Sequence, residues 1–436
     1  MSGTITITGG IPLTGSVVPI PNKNSIIPAL PAAILSDQEI VYEQVPYTTD
    51  VDKILKIMEL MGVTVSRSGG QIKLNAKTIN SYQIDPKLGG QFRGSLMFAG
   101  PLLARFGRVH IPMPGGCVLG FRSISAHLDA FKAAGVKVID RGDVMELIAP
   151  KKPKTKYRIW QMEASVTATE NLLMYLSGIE TESEIIEAAC EPHVVDLENL
   201  LKDMGVDIQG IGSNRLTIKG SKRLKGATFI PRPDFVDIAG YMVAAGITNG
   251  KITIKGANIP HIVDGLIRWM EIFGIQTTRT GKDLVVKRGD RGLKIDARTS
   301  GVPLAAPGLP KLAPRPWPGF PVDVIPVMAT LASKTEGRLL LQNWMYESGF
   351  EFVRELNSLG ADIFISDPQR LIITGPVRFK GGEVTPPEVI QATKAIFLAA
   401  LCDPVETTIH GVDILKRRYP DIFNVYRHLG AKIKTP

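Results

Sequence analysis

One signature recurs six times along this 436-residue chain: a helical segment ends in glycine and a strand follows at once. It reads Met61-Gly62-Val63-Thr64-Val65, Ala134-Gly135-Val136-Lys137-Val138 and Met204-Gly205-Val206-Asp207-Ile208 in the first half. In the second half it reads Phe273-Gly274-Ile275-Gln276-Thr277, Leu359-Gly360-Ala361-Asp362-Ile363 and Leu429-Gly430-Ala431-Lys432-Ile433. The glycines lie 73, 70, 69, 86 and 70 residues apart. Each is placed to end a helix in the left-handed region, where a Cβ is costly. A turn and a second strand follow most copies, as in Gly70-Gln71-Ile72-Lys73-Leu74 and Asn214-Arg215-Leu216-Thr217-Ile218, which predicts a hairpin. A further helical pattern precedes each unit, for instance at residues 25–35, 165–176 and 237–245. Asn24 fits as N-cap of the first of these, and Thr167-Ala168-Thr169-Glu170 reads as a capping box in the second. Each unit is therefore expected to be an α/β module of two helices and about four strands.

Units this long do not stack into a thin solenoid, so two globular domains of three units each are expected. The longest gap holds a proline-rich insert at residues 301–323, with seven prolines, read as a shaped loop in preference to a plain spacer. Hydrophobic content of 44% and charged content of 21% describe a chain that folds. Its longest apolar runs, near residues 238–247 and 395–402, fall well short of the ~20 residues of a membrane span and are expected as buried helices. The first eight residues alternate like a strand without a basic, apolar leader, so no signal peptide is expected. Cys117, Cys190 and Cys402 are too scattered for a disulfide framework or a zinc site and point to a reducing cytoplasm. The net charge of +9 suggests an anionic partner. Nucleic acid is one option, but the charge is dispersed and the 6% of aromatic residues form no stacking pattern. Small phosphorylated substrates suit it better.

Chemistry concentrates in Pro114-Gly115-Gly116-Cys117-Val118-Leu119-Gly120-Phe121-Arg122. Its glycines let the backbone approach a ligand, and Ser123 is placed to cap the helix that follows, so its N–H groups suit an anion. A surface turn with a buried structural thiol accounts for the same residues equally well. Earlier, Lys23 and Asn24 in Pro21-Asn22-Lys23-Asn24-Ser25 precede a helix, where an ammonium can sit beside an anion.

Taken in order, these segments resemble the UDP-N-acetylglucosamine 1-carboxyvinyltransferases, a family of enolpyruvyl transferases. The further segments that carry the resemblance are Phe92-Arg93-Gly94-Ser95, residues 100–107, His127, Ser165-Val166-Thr167, Glu191-Pro192, Val195-Asp196, Phe320-Pro321-Val322-Asp323 and Arg417. The resemblance implies a two-domain inside-out α/β barrel, each domain made of three βαβαββ-type units. It divides the chain into residues 23–233, and residues 1–22 with 234–436. It implies small-molecule substrates, phosphoenolpyruvate and a UDP-sugar, with no metal, no organic cofactor, no nucleic acid and no membrane insertion. Lys23, Arg122 and Arg417 match phosphate ligands, and guanidinium forks suit that geometry. Cys117 matches the cysteine that adds to phosphoenolpyruvate or protonates its methylene carbon. Asp323 matches the base facing the acceptor hydroxyl. Asn24, Arg93, His127, Ser165, Val166 and Thr167 fall to substrate binding.

The sequence departs from the family pattern at several functional positions, among them the acceptor-side loop Arg122-Ser123-Ile124-Ser125-Ala126, which lacks the proline and acidic residue usual there. Gly349 and Gln391 stand where arginines hold the carboxylate of phosphoenolpyruvate, and Phe235 stands where another arginine follows the Pro233-Asp234 turn. Arg354 or Lys394 is expected to make good part of the loss. Two other readings stay open: the same transfer to another alcohol such as a nucleotide, or a protein that binds the nucleotide sugar without turnover.

Overall fold

A computed structural model describes residues 3–112, 123–297, 301–346 and 349–435. They fold as two compact units, one of residues 21–112 and 123–232, the other of residues 3–20 and 233–435. Among the described residues each unit holds three sheets, built around largely buried helices.

The repeat seen in the sequence is the repeat of the fold. All six signature glycines adopt positive φ, from 81° at Gly135 to 106° at Gly430, and each ends an outer helix. Those outer helices are amphipathic; Thr49–Leu60 buries Val51, Ile54, Leu55, Ile57 and Met58, and Thr48 accepts the Val51 N–H at its start. The other helix of each repeat is apolar nearly all round. Phe235–Ile247 is buried at all thirteen positions and Ile325–Ser333 at all nine, so these short runs form core, as their length predicts.

One sheet plan serves the repeats. A strand pairs in parallel with the strand after the buried helix, which pairs antiparallel with the hairpin closing the unit. Lys156–Trp160, Glu182–Ile186, Arg215–Lys219 and Asp207–Gln209 are laid side by side in this way. Three strands come from distant parts of the chain, and one of them, Thr14–Val17, pairs in parallel with Lys251–Ile254 and so begins the fourth repeat. Thr228–Phe229 pairs in parallel with Ile40–Tyr42 and so begins the first repeat from its unit's far end. Ile5–Thr8 lies between Glu406–Ile409 and Lys432–Lys434, supplying the last strand of the sixth repeat. The proline-rich insert includes a short hairpin, Leu304–Ala306 with Leu309–Leu312, and the second of these pairs in parallel with Gly337–Gln342.

Three local expectations are corrected. Asn22, not Asn24, caps Lys23–Ala32, its Oδ1 accepting the Asn24 N–H at 2.9 Å; Lys23 is the first helical residue. Thr167–Glu170 is no capping box, because Val166–Ser177 starts one residue earlier and carries Glu170 into the core at 1% exposure. Ser123 accepts the Ser125 N–H at 2.9 Å, but the helix itself begins at Ser125 with Ile124 at its N-cap.

Candidate functional site

In the unit of residues 21–232, most of the flagged side chains stand where the buried helices begin. Such ends leave backbone N–H groups unpaired and carry partial positive charge. Lys23 opens Lys23–Ala32, Arg93 opens the 3₁₀ helix Arg93–Phe98 leading into Ala99–Phe106, and Ser165 is the N-cap of Val166–Ser177, with Val166 and Thr167 in its first turn. These are equivalent positions of three successive repeats. The Lys23 ammonium is ion-paired with buried Asp50, in the first turn of Thr49–Leu60. Asn24 is half-buried. Arg93 Nη2 donates to the Ser123 carbonyl at 2.9 Å. Cys117 and Arg122 lie outside the described residues.

His127 is 4% exposed and both of its ring nitrogens are engaged. Asn171 takes the Gly100 N–H on Oδ1, so its Nδ2 is the donor to His127 Nδ1. Nε2 must then carry the proton and donate to Thr167 Oγ1 at 2.9 Å. Burial, with the nearby Arg93 cation, lowers the His127 pKa to about 3, so the ring is neutral. His127 thus fixes Thr167 at the head of its helix. Asn171 also donates to Leu96 O, tying the helix after Arg93 to the one after Ser165.

In the unit of residues 3–20 and 233–435, two of the three corresponding helix starts carry carboxylates. Asp234 caps Phe235–Ile247 through the Val236 N–H at 2.9 Å, and Asp323 lies in Val322–Val324, directly before Ile325–Ser333. A pocket is lined by Asp323, Asn343, Tyr346, Gly349, Glu351 and Gln391, among others. It brings the flagged carboxylate together with the two positions that depart from the family pattern. No lysine or arginine is among its described lining residues. A Cβ at Gly349 would fall 2.2 Å from Asn343 Nδ2, so Asn343 occupies space that any side chain at 349 would need. Asn343 is 2% exposed and its Oδ1 has no hydrogen-bond partner among the described residues.

Neither expected substitute cation lines this pocket. Arg354 is exposed on Val353–Ser358. Lys394 is 2% exposed and points into the core, its Nζ 3.8 Å from Asp237 Oδ1 and over the rings of Tyr419 and Tyr426 at 4.5 and 4.7 Å. Burial lowers its pKa to about 8 and raises that of Asp237 to about 6. One turn beyond Gln391 on Ile390–Ala400 is the core side of the helix, which is why the reach fails. Arg417 is half-buried at the end of the 3₁₀ helix Val412–Arg417.

The residue that sequence reasoning missed is Arg418. It is 3% exposed, and its Nε and Nη2 donate to both Asp234 oxygens at 2.7 and 2.9 Å. Its Nη1 lies 3.5 Å from Asp323 Oδ2. The pair Arg417-Arg418 was visible, but nothing in the sequence distinguished which arginine turned inward. Phe235, where the family pattern has an arginine, packs instead against Trp317, with ring centroids 5.7 Å apart.

The two remaining cysteines are buried thiols, Cys190 with a pKa raised to about 11 by burial and neighbouring glutamates, and Cys402 raised further by burial. Among the described residues no His/Cys/Asp/Glu cluster could hold a metal ion, and no helix is long and apolar enough to cross a membrane.

A sequence model of the family described as EPSP synthase (3-phosphoshikimate 1-carboxyvinyltransferase) matches residues 7–426. The chain is 35% identical over 429 residues to a UDP-N-acetylglucosamine 1-carboxyvinyltransferase of Borrelia garinii subsp. bavariensis, covering 98% of each. It is 36% identical over 429 residues to one of Bradyrhizobium diazoefficiens, covering 98% of this chain and 97% of the relative. Among solved structures, the enolpyruvyl transferase NikO from Streptomyces tendae shares the fold at a TM-score of 0.87 and 20% identity, with all of each chain covered. An EPSP synthase from Acinetobacter baumannii does so at 0.73 and 16%, again over all of each chain. Six repeats in two units, a full-length family match and relatives above 30% identity agree: the chain belongs to the carboxyvinyltransferase (enolpyruvyl transferase) family, with UDP-N-acetylglucosamine 1-carboxyvinyltransferases among its relatives.

Proposed function

We propose that the protein transfers the enolpyruvyl group of phosphoenolpyruvate to the 3-hydroxyl of UDP-N-acetylglucosamine, releasing phosphate, as a cytoplasmic step in making peptidoglycan precursors. The observation that carries this reading is likeness along nearly the whole chain to relatives bearing that name, with Lys23, Cys117, Arg122, Asp323 and Arg417 all present. The acceptor oxygen bonds to C2 of phosphoenolpyruvate while its proton passes to Asp323, and C3 takes a proton from Cys117. The C2–O bond to phosphate then breaks, the departing phosphate takes the proton held by Asp323, C3 returns its proton to the Cys117 thiolate, and the enol ether remains. Lys23, Arg122 and Arg417 hold the phosphate and stabilise its departure. The helix starts at Lys23, Arg93 and Ser165 serve anionic and polar groups of the nucleotide sugar through their first-turn N–H groups. Asn24, Val166 and Thr167 complete that lining, and His127 acts through Thr167.

One observation favours a second reading. The described lining of the Asp323 pocket holds two carboxylates and no cation, a poor setting for a substrate carboxylate. A protein that binds the nucleotide sugar without turnover fits that lining. Phosphate release from phosphoenolpyruvate, measured with UDP-N-acetylglucosamine and with a panel of nucleotides and simple sugars, separates the readings. Release dependent on the UDP-sugar supports the first; release with another alcohol alone redirects the acceptor; no release with any acceptor removes the transferase reading.

A further inference from the structure

We propose that Arg418 is the positioning residue that holds the Asp323 carboxylate in place for proton transfer, anchored for that task by Asp234. The proposal rests on the reading of Asp323 as the base. Arg418 is an unusual side chain for the core, with 4% of its side-chain surface exposed, against 0% for that of Asp234 and 19% for that of Asp323. A buried guanidinium needs its charge matched and its donors used. Asp234 supplies both through a bidentate pair, two nitrogens to two oxygens, at 2.7 and 2.9 Å. Asp234 is fixed in turn, because its Oδ1 also accepts the Val236 N–H at the head of Phe235–Ile247.

The fork is thereby locked, and its remaining terminal nitrogen faces Asp323 Oδ2 at 3.5 Å. At the other oxygen of the carboxylate, Tyr346 Oη stands 3.5 Å from Asp323 Oδ1. Both approaches are longer than a good charge-assisted bond. The carboxylate is therefore oriented from two sides, while neither oxygen is saturated and each can still accept a substrate proton. A shorter contact to the cation would hold the base ionised but make it a weaker proton acceptor. Among the described residues, the charged and titratable groups around Asp323 are Arg418 and Tyr346 beside it and Glu351 in the same pocket lining. Asp234, Tyr419 and the Asp237–Lys394 pair lie behind the arginine.

The test compares Arg418→Lys, Arg418→Met combined with Asp234→Asn, and Asp323→Asn in the full chain, using phosphate release and melting temperature. Lysine keeps the buried charge on Asp234 but cannot also present a nitrogen to Asp323. The double variant removes both buried charges, so neither is left uncompensated. The expected result is a fall in kcat of about tenfold to a hundredfold in both arginine variants, with KM for the UDP-sugar unchanged. Normal kcat in either folded variant would overturn the proposal, as would a loss that falls on the KM for the UDP-sugar instead of on kcat. Asp323→Asn is the separate control: if that variant turns over normally, the assignment of the base fails, whatever Arg418 does.

Discussion

Asp323 and Cys117 are the residues on which turnover depends in this account, and each has its own prediction. Asp323→Asn keeps the shape of the side chain but removes proton acceptance, so kcat should fall by about 10²–10⁴-fold while the UDP-sugar still binds. Steady-state phosphate release with a parallel binding measurement checks this. An epoxide phosphonate such as fosfomycin should alkylate Cys117 in preference to Cys190 and Cys402, which are buried thiols with raised pKa values. Peptide mass spectrometry reads the modified position, and labelling of either core thiol first would count against Cys117 as the reactive group. Gly349 offers a third test, since its missing Cβ would sit 2.2 Å from Asn343 Nδ2. Gly349→Ala should cost about 1–3 kcal/mol by overpacking, and Asn343→Ala in the same chain should recover much of it. Additive losses in a denaturation cycle would show that the two positions are not coupled. These residues also mark the limit of sequence reading. The proximity of Gly349 and Gln391 to Asp323 was expected from the family pattern, whereas Asn343, Tyr346 and Arg418 reach Asp323 or its pocket through folding and carry no motif of their own.

At the scale of elements, the glycine signature was legible because its cause is local: a helix that must end in the left-handed region selects glycine wherever it occurs. Helix starts were less legible, since Asn22 and Asn24 are equally good caps on paper and only the fold decides between them. The burial of Lys394 was not legible at all. The expectation for Lys394 is a place at the substrate carboxylate, whereas its partners Asp237, Tyr419 and Tyr426 come from three other segments and hold it in the core. The helix Val166–Ser177 carries a pH prediction through His127. The folded ring has a pKa of about 3, set by burial and then Arg93, against 6.5 for a free histidine. Protonation therefore favours the unfolded chain. The neutral ring's contribution is complete above about pH 6.5 and is lost as pH falls toward 3. His127→Gln lacks this term, so its melting temperature should fall less steeply than that of the unaltered protein between about pH 7 and pH 4.5. Parallel curves would mean that His127 is not held neutral.

For the whole molecule, six copies of one α/β unit were readable from spacing, but the origin of three strands was not. Thr228–Phe229, Thr14–Val17 and Ile5–Thr8 each complete a repeat that lies far away in the chain, and a short strand does not announce its partner. Ile7 is fully buried in the strand that closes the sixth repeat, paired with Ile433 on one side and Thr407 on the other. Ile7→Ala should cost about 2–5 kcal/mol in denaturant unfolding, and a loss below ~1 kcal/mol would mean the strand is not integral to its sheet. The chemistry claimed for the whole chain is most directly tested by incubating it with phosphoenolpyruvate and UDP-N-acetylglucosamine and identifying the products by mass spectrometry and phosphorus NMR. The account predicts a UDP-sugar carrying one enolpyruvyl ether for each inorganic phosphate released. Recovery of both substrates unchanged, from a protein shown to bind the nucleotide sugar, would contradict it.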